Sequence, residues 1–133
     1  MKVVDASVVL TWLLREPIPA AAQRILDEHI SGVHPLVAPE LLQYEVANVL
    51  ARGAGVSPRA ALIGHERFQA LEIGTLALGD ADYRRALELA LRHTLTVYDA
   101  SYLALAQALG VPLATADRKL ARRVSGLGVV EVV

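Results

Sequence analysis

The chain is 133 residues long, enough for one domain with a single hydrophobic core. It contains no cysteine, which excludes a disulfide framework, a thiol nucleophile and a Cys-ligated zinc site. A formal net charge of -1 excludes a broad basic field, so any contact with nucleic acid must come from a local patch.

In chain order, residues 2–5 (KVVD) read as a short buried strand and 6–16 as a helix stopped by Pro17 and Pro19. A second helix over 20–30 ends at Ser31-Gly32, and 34–39 form a short extended piece. Residues 39–53 make a strong helix, with Pro39 at its start, Glu40 in its first turn and Gly53 after its end. Residues 57–71 make another, with Ser57 as N-cap and Pro58 at the first helical position. The connection Gly53–Gly55 (GAG) lacks the Lys-Ser/Thr of a phosphate loop. A weak strand over 73–78 precedes a helix over 79–93, capped by Asp80 or Asp82. Residues 95–99 (LTVYD) read as a short strand or extended turn, followed by a helix over 100–110. A strand at 112–117 (PLATAD), a short helix at 118–124 and a final strand at 127–133 complete the chain. Short apolar strands alternating with helices indicate an α/β domain with a mostly parallel sheet, covered on both faces. One domain over 1–133 is expected, with no linker.

Hydrophobic residues make up 54% of the chain, which suggests apolar surface to be covered by an oligomer or a partner. No segment is apolar enough for long enough to span a membrane. Lys2 and the following apolar run resemble a signal peptide, but Asp5 interrupts the run and no small-residue cleavage site follows, so a cytoplasmic protein is expected.

Asp5, Asp99 and Asp117 each follow an extended segment and precede a helix. Helix capping explains any one of them. In a parallel sheet, however, the carboxyl ends of the strands share one edge, and ligands bind there. Glu45 is harder to explain as a surface residue, because Leu41, Leu42, Val46, Val49 and Leu50 surround it. Asn48, the only asparagine, lies one turn further on the same face. Clustered carboxylates repel and need compensation. His29, His34, His65 and His93 are scattered and read as surface or helix-end residues, so zinc is disfavoured. An all-oxygen site of Asp5, Glu45, Asp99 and Asp117 suits magnesium or manganese, and its natural chemistry is phosphodiester hydrolysis. Ser7 and Thr115 each place a hydroxyl near an aspartate. Two alternatives stand beside this reading. One is an aspartyl-phosphate phosphatase of the haloacid dehalogenase type, although Ser7 occupies the place of its second acid. The other is a non-catalytic binding module whose aspartates only cap helices.

The segments VVDASVVLTWLL, LLQYEVANVL and TVYDASYLALAQALGVPLATADRKLARRV together resemble the PIN-domain family, in particular VapC-type toxins of toxin–antitoxin pairs. The resemblance spans nearly the whole chain. It implies a PIN-like three-layer α/β/α fold and a Mg2+- or Mn2+-dependent endoribonuclease. The family's four acids fall on Asp5, Glu45, Asp99 and Asp117, and its small polar positions on Ser7 and Thr115. It also implies an RNA substrate, a cognate VapB-type antitoxin and a homodimer. Arg118, Lys119, Arg122 and Arg123 follow Asp117 at helical spacing and are candidates for holding RNA phosphates. Aromatic residues make up only 5% of the chain, so no base-stacking platform is evident, and Trp12 reads as core or interface.

Overall fold

A computed structural model of the chain describes residues 1–53 and 55–133; Ala54, inside the connection read as Gly53–Gly55, lies outside them. Strands β1 (Lys2–Val4), β2 (Leu36–Pro39), β3 (Gly74–Leu76), β4 (Leu113–Thr115) and β5 (Val130–Val132) form one sheet. The strand order is β3-β2-β1-β4-β5 and every pairing is parallel. The chain therefore builds outward from β1 to β2 and β3, then crosses to the other side for β4 and β5. The direction reverses between β1 and β4, and the crevice at the carboxyl ends of those two strands is where an open α/β sheet binds ligands.

The helices are α1 (Ala6–Leu14), α2 (Ala20–Ile30), α3 (Leu41–Arg52), α4 (Pro58–Ala70), α5 (Asp80–His93), α6 (Val97–Leu109) and α7 (Arg118–Arg123). Lys2, Val3 and Val4 are all buried, so both faces of β1 are covered, as an α/β/α sandwich requires. Helix α6 is the most enclosed, with Ala100 to Ala106 buried without interruption, and it lies against β1, β2 and β4. Helix α1 packs on β4 and against α2, α3 and α4. Trp12 belongs to this core, and its indole N–H donates to the Ala22 carbonyl of α2 at 2.9 Å. No helix among the described residues is long and apolar enough to cross a membrane.

Four local expectations are corrected. Pro39 ends β2, where it pairs with Leu76, and the helix starts only at Leu41; as the last strand residue it gives up no ladder bond beyond its own missing N–H. Helix α1 stops at Leu14 rather than 16, because the chain turns extended at Arg15 ahead of the prolines. Asp80 does not cap α5: Gly79 takes the N-cap position, and the Asp82 carboxylate reaches back to accept its N–H at 3.0 Å. Residues 95–99 form no strand. Thr94 takes a left-handed conformation at the end of α5 (φ 55°), and Thr96 caps α6 by accepting the Asp99 N–H at 3.0 Å. The β-branched run is used up in a tight connection between two helices that pack closely together.

His29 also does more than end a helix. Its Nε2 lies 2.6 Å from the Leu71 carbonyl and its Nδ1 accepts the Leu36 N–H at 3.1 Å, so a neutral ring protonated at Nε2 ties α2 to β2 and to the end of α4.

At the amino end of the sheet, the nearly buried Lys2 ammonium bridges Glu28 at 3.1 Å and Glu131 at 2.8 Å, while Arg24 binds both carboxylates from outside. The bond from Lys2 holds Glu28 below its usual carboxylate range. Burial pushes Glu131 up, but its bonds to Lys2 and Arg24 prevail and leave it lowered. Burial opposes the charge on Lys2, yet the two carboxylates raise its pKa above 10.5. The network's contribution is thus complete at neutral pH. It is lost as pH falls through the depressed carboxylate pKa values, and again as pH rises through the raised lysine pKa. Lys2→Met is expected to cost about 1–3 kcal/mol at pH 7, between the surface and buried limits. Urea denaturation across pH checks this, and the variant's curve should be flatter on the acid side.

Candidate active site

The site is built around the carboxyl ends of β1 and β4. Asp5 directly follows β1 and is the N-cap of α1: its Oδ1 accepts the N–H groups of Ser7 at 3.0 Å and Val8 at 3.3 Å. The Ser7 hydroxyl donates to the same oxygen, and the Thr115 hydroxyl on β4 donates to Oδ2. Ser7 Oγ in turn accepts the Ala116 N–H at 2.8 Å, and Thr115 Oγ1 accepts the Asp117 N–H at 3.0 Å. Two hydroxyls therefore join the two strand ends across the crevice. Asp5 is only 6% exposed. Burial pushes its pKa up, and the hydrogen bonds from Ser7, Thr115 and the α1 backbone only partly offset this.

Asp117 follows β4 by one intervening residue and caps α7, with Oδ1 accepting the Lys119 and Leu120 N–H groups at 2.9 and 3.0 Å. Capping and a role in the site are compatible here. In both aspartates Oδ1 serves the helix; Oδ2 of Asp5 accepts the Thr115 hydroxyl.

Asp99 arrives by a different route from the one expected. It does not cap a helix; it stands in the first turn of α6, which Thr96 caps. Burial raises its pKa and the Thr96 hydroxyl lowers it; the Asp117 charge adds to the rise, while Arg123 opposes it. Glu45 projects from α3 and accepts the Tyr102 hydroxyl at 2.9 Å. Burial lifts its pKa, the Tyr102 bond draws it down, and the charges of Asp99 and Asp5 lift it further. Tyr102, in the same environment, is pushed far above its ordinary range. These mutual charge effects link Glu45 to Asp5 and Asp99, and Asp99 to Asp117.

Sequence reasoning missed Tyr102, Thr96 and the part played by Arg123. Tyr102 stands three residues after Asp99, one turn along the same helix face, and that spacing was the available signal. Asn48 is exposed beside Glu45 in a shallow concavity. Of the basic candidates, Arg123 reaches back to donate to the Thr94 carbonyl at 2.6 Å. Arg118, Lys119 and Arg122 are exposed on α7.

The donor set suits a hard cation. Every candidate donor is a carboxylate or hydroxyl oxygen, and besides burial the neighbouring acids raise Glu45 and Asp99. Among the described residues no three acids or histidines stand close enough to enclose one ion by themselves. Magnesium keeps several of its waters and uses only one or two carboxylates directly, so it does not require three of these acids on one ion.

Residues 2–126 match the family model for the PIN domain. The chain belongs to the PIN-domain family. Ribonuclease VapC3 of Pyrobaculum aerophilum is 36% identical over 132 residues, covering 94% of this chain and 95% of that protein. Ribonuclease VapC1 of Mycobacterium tuberculosis is 39% identical over 125 residues, covering 90% and 87%. Among solved structures, PAE2754 from Pyrobaculum aerophilum superposes with a TM-score of 0.68 at 25% identity, over 92% of this chain and 83% of that one. Like those relatives, this PIN domain spans nearly the full length of its match.

Thr115→Val keeps the strand shape but removes the donor to Asp5 Oδ2 and the acceptor for the Asp117 N–H. The expected cost is about 1–3 kcal/mol, the penalty for leaving buried polar groups unmade. Thr115→Ser should recover most of it. Equilibrium unfolding in urea of both variants provides the measurement.

Proposed function

We propose that this PIN-domain protein is a metal-dependent endoribonuclease, the toxin of a type II toxin–antitoxin pair. One observation carries the reading: a buried Asp5 is fixed by Ser7 and Thr115 at the switch point of a parallel sheet, its charge and that of Asp99 act on Glu45, and the charge of Asp117 acts on Asp99. The names of the relatives support RNA as the substrate. The reaction is hydrolysis of a phosphodiester, in which water adds to phosphorus and the bond to the leaving oxygen breaks.

Asp5, Asp99, Asp117 and Glu45 would hold magnesium or manganese. Such an ion supplies a nucleophilic water at neutral pH and neutralises charge on the phosphate. Asp5 is the fixed member, since four hydrogen bonds hold its two oxygens. Glu45 is oriented by the Tyr102 hydroxyl, which would fix its carboxylate to take a proton from the attacking water. Arg118, Lys119 and Arg122, on the exposed side of α7 beside Asp117, offer positive charge to the approaching backbone. The phosphatase alternative loses ground here, because the Ser7 hydroxyl is committed to Asp5 and to the Ala116 N–H.

The partners under this reading are a VapB-type antitoxin and a second copy of the chain in the cytoplasm. In the structure most of the apolar residues of α1 are enclosed by the chain itself, and the long exposed apolar stripe runs along α5: Tyr83 (56% exposed), Leu87 (51%) and Leu91 (76%) at successive turns. That stripe supports a two-fold contact. Sedimentation at micromolar concentration should give a dimer, and a strictly monomeric species would refute the association.

Asp99→Asn keeps shape and removes one of the mutually repelling charges. Cleavage of an RNA panel in magnesium or manganese should be abolished, while the melting temperature of the metal-free protein stays level or rises slightly. Binding of ion to the native state alone should stabilise the wild type by about 2.7 kcal/mol at a hundred-fold excess over Kd. That metal-dependent rise, read by thermal melting, should shrink in Asp99→Asn. Near wild-type cleavage by the variant would show the site assignment to be wrong.

A further inference from the structure

The low aromatic content of the chain hides an uneven distribution. Trp12, Phe68 and Tyr102 are buried, whereas Tyr44 is 77% exposed and Tyr98 62% exposed. Each of these two exposed rings directly precedes a candidate acid in sequence, Tyr44 before Glu45 and Tyr98 before Asp99. They come from different helices, α3 and α6, yet line the same open concavity of about 330 Å³, completed by Leu41, Glu45 and Asn48. Asn48 makes no side-chain hydrogen bond among the described residues, so its amide presents a free donor and acceptor there. The concavity is shallow and mostly apolar in lining, and Glu45 forms its wall toward the acids.

We propose that this concavity is a nucleobase subsite, in which Tyr98 and Tyr44 stack on a base of single-stranded RNA and Asn48 meets the base edge. The inference rests on the ribonuclease reading and adds to it the group beside the scissile phosphate. Three physical points favour a base. Two exposed rings at one mouth give a sequence-tolerant stacking surface, since every base has a π-face. The volume lies near the lower end of the roughly 300–1,000 Å³ range of small-ligand pockets, which suits one planar heterocycle. The position solves an electrostatic problem as well. Four acids repel a polyanion, and none of the residues lining the concavity carries positive charge. Within the concavity itself binding energy comes from uncharged contacts, and stacking with an amide supplies them. Glu45 lines the subsite and Asp117 caps the basic helix, so a strand with its base in the concavity would run past the acids toward that helix.

The test uses an oligoribonucleotide that the wild type is found to cut on a mixed-sequence panel. Single abasic nucleotides are placed in turn at each position around the cut. At one position the abasic substitution should raise KM about 5- to 150-fold, the range of one aromatic–base stack, with a much smaller change in kcat. Tyr98→Ala should raise KM for the intact RNA by a comparable factor and lose its sensitivity to that abasic site. Tyr98→Phe should restore both, because the stack needs the ring and not the hydroxyl. Asn48→Ala should change the preference among bases at that same position. If Tyr98→Ala and every abasic substitution act independently, or leave KM unchanged on an RNA that is still cut, the subsite is wrong while the ribonuclease reading stands. If Tyr98→Ala instead turns a dimer into a monomer by sedimentation, the rings belong to a contact between copies and the proposal is overturned. A folded wild type that cuts no RNA with magnesium or manganese overturns the subsite together with the reading beneath it.

Discussion

The organising constraint is the burial of one carboxylate at the end of the central strand. Asp5 is nearly inaccessible and has no cation beside it in the chain, so its solvation must come from fixed dipoles. Two of them are the first free N–H groups of α1, which point at Oδ1 because the helix begins at that residue. The other two are the hydroxyls of Ser7 and Thr115. The requirement fixes more than one side chain. Thr115 can serve only if β4 lies beside β1 in the observed register, with Val4 opposite Ala114. Ser7 Oγ then accepts the Ala116 N–H just beyond β4, and Thr115 Oγ1 accepts the Asp117 N–H. The crossover from one half of the sheet to the other is thus stitched together at its carboxyl end by the group that defines the site.

The remaining acids are arranged to be reactive rather than comfortable. Asp117 gives one oxygen to a helix start, which stabilises its charge. Glu45 and Asp99 have fewer donors and more negative neighbours, and both pKa values rise. Asp5 is raised as well, by burial that its four hydrogen bonds only partly offset, whereas on Glu45 and Asp99 neighbouring acids add to the rise. A binding module with helix-capping aspartates would leave Asp99 and Glu45 unexplained, because neither caps anything.

Much of this was readable from residues, and the failures have physical causes. The alternation of strands and helices, and the strand-end positions of Asp5 and Asp117, follow from hydrophobic runs broken at polar residues. Glu45 was legible through its apolar neighbours, and the buried Tyr102 partner explains why an acid is tolerated there. The extended reading of 95–99 failed because Thr94, Leu95, Thr96 and Val97 carry strand propensity, while the adjoining helices leave no room for a strand. The left-handed turn at Thr94 and the cap from Thr96 override that propensity. Asp99 still reaches the acids, because the sheet edge and the start of α6 lie at the same end of the domain. The exposed stripe on α5 was also passed over. A period of four residues for Tyr83, Leu87 and Leu91 is visible in the sequence, but the polar residues between them make the helix read as an ordinary surface element. Composition, which averages over the chain, does not show that Tyr44 and Tyr98 line one concavity.

The distribution of charge around the crevice gives the last step. A protein of net charge -1 that handles a polyanion cannot rely on long-range attraction. Of its exposed cations, Arg118, Lys119 and Arg122 sit on α7, which starts at Asp117, so their positive charge and the acid it flanks are delivered by the same six-residue helix. Arg123 ties that helix to the Thr94 carbonyl, at the very turn that launches α6 toward Asp99. The Arg123 charge also lowers the Asp99 pKa that burial and Asp117 raise. One arginine therefore couples three things: the position of the basic helix, the turn that replaces the expected strand, and the charge state of the acid that follows it. A change at that contact would shift the placement of α7 and the ionisation of Asp99 together, so the basic helix and the acid at the start of α6 are coupled through one side chain.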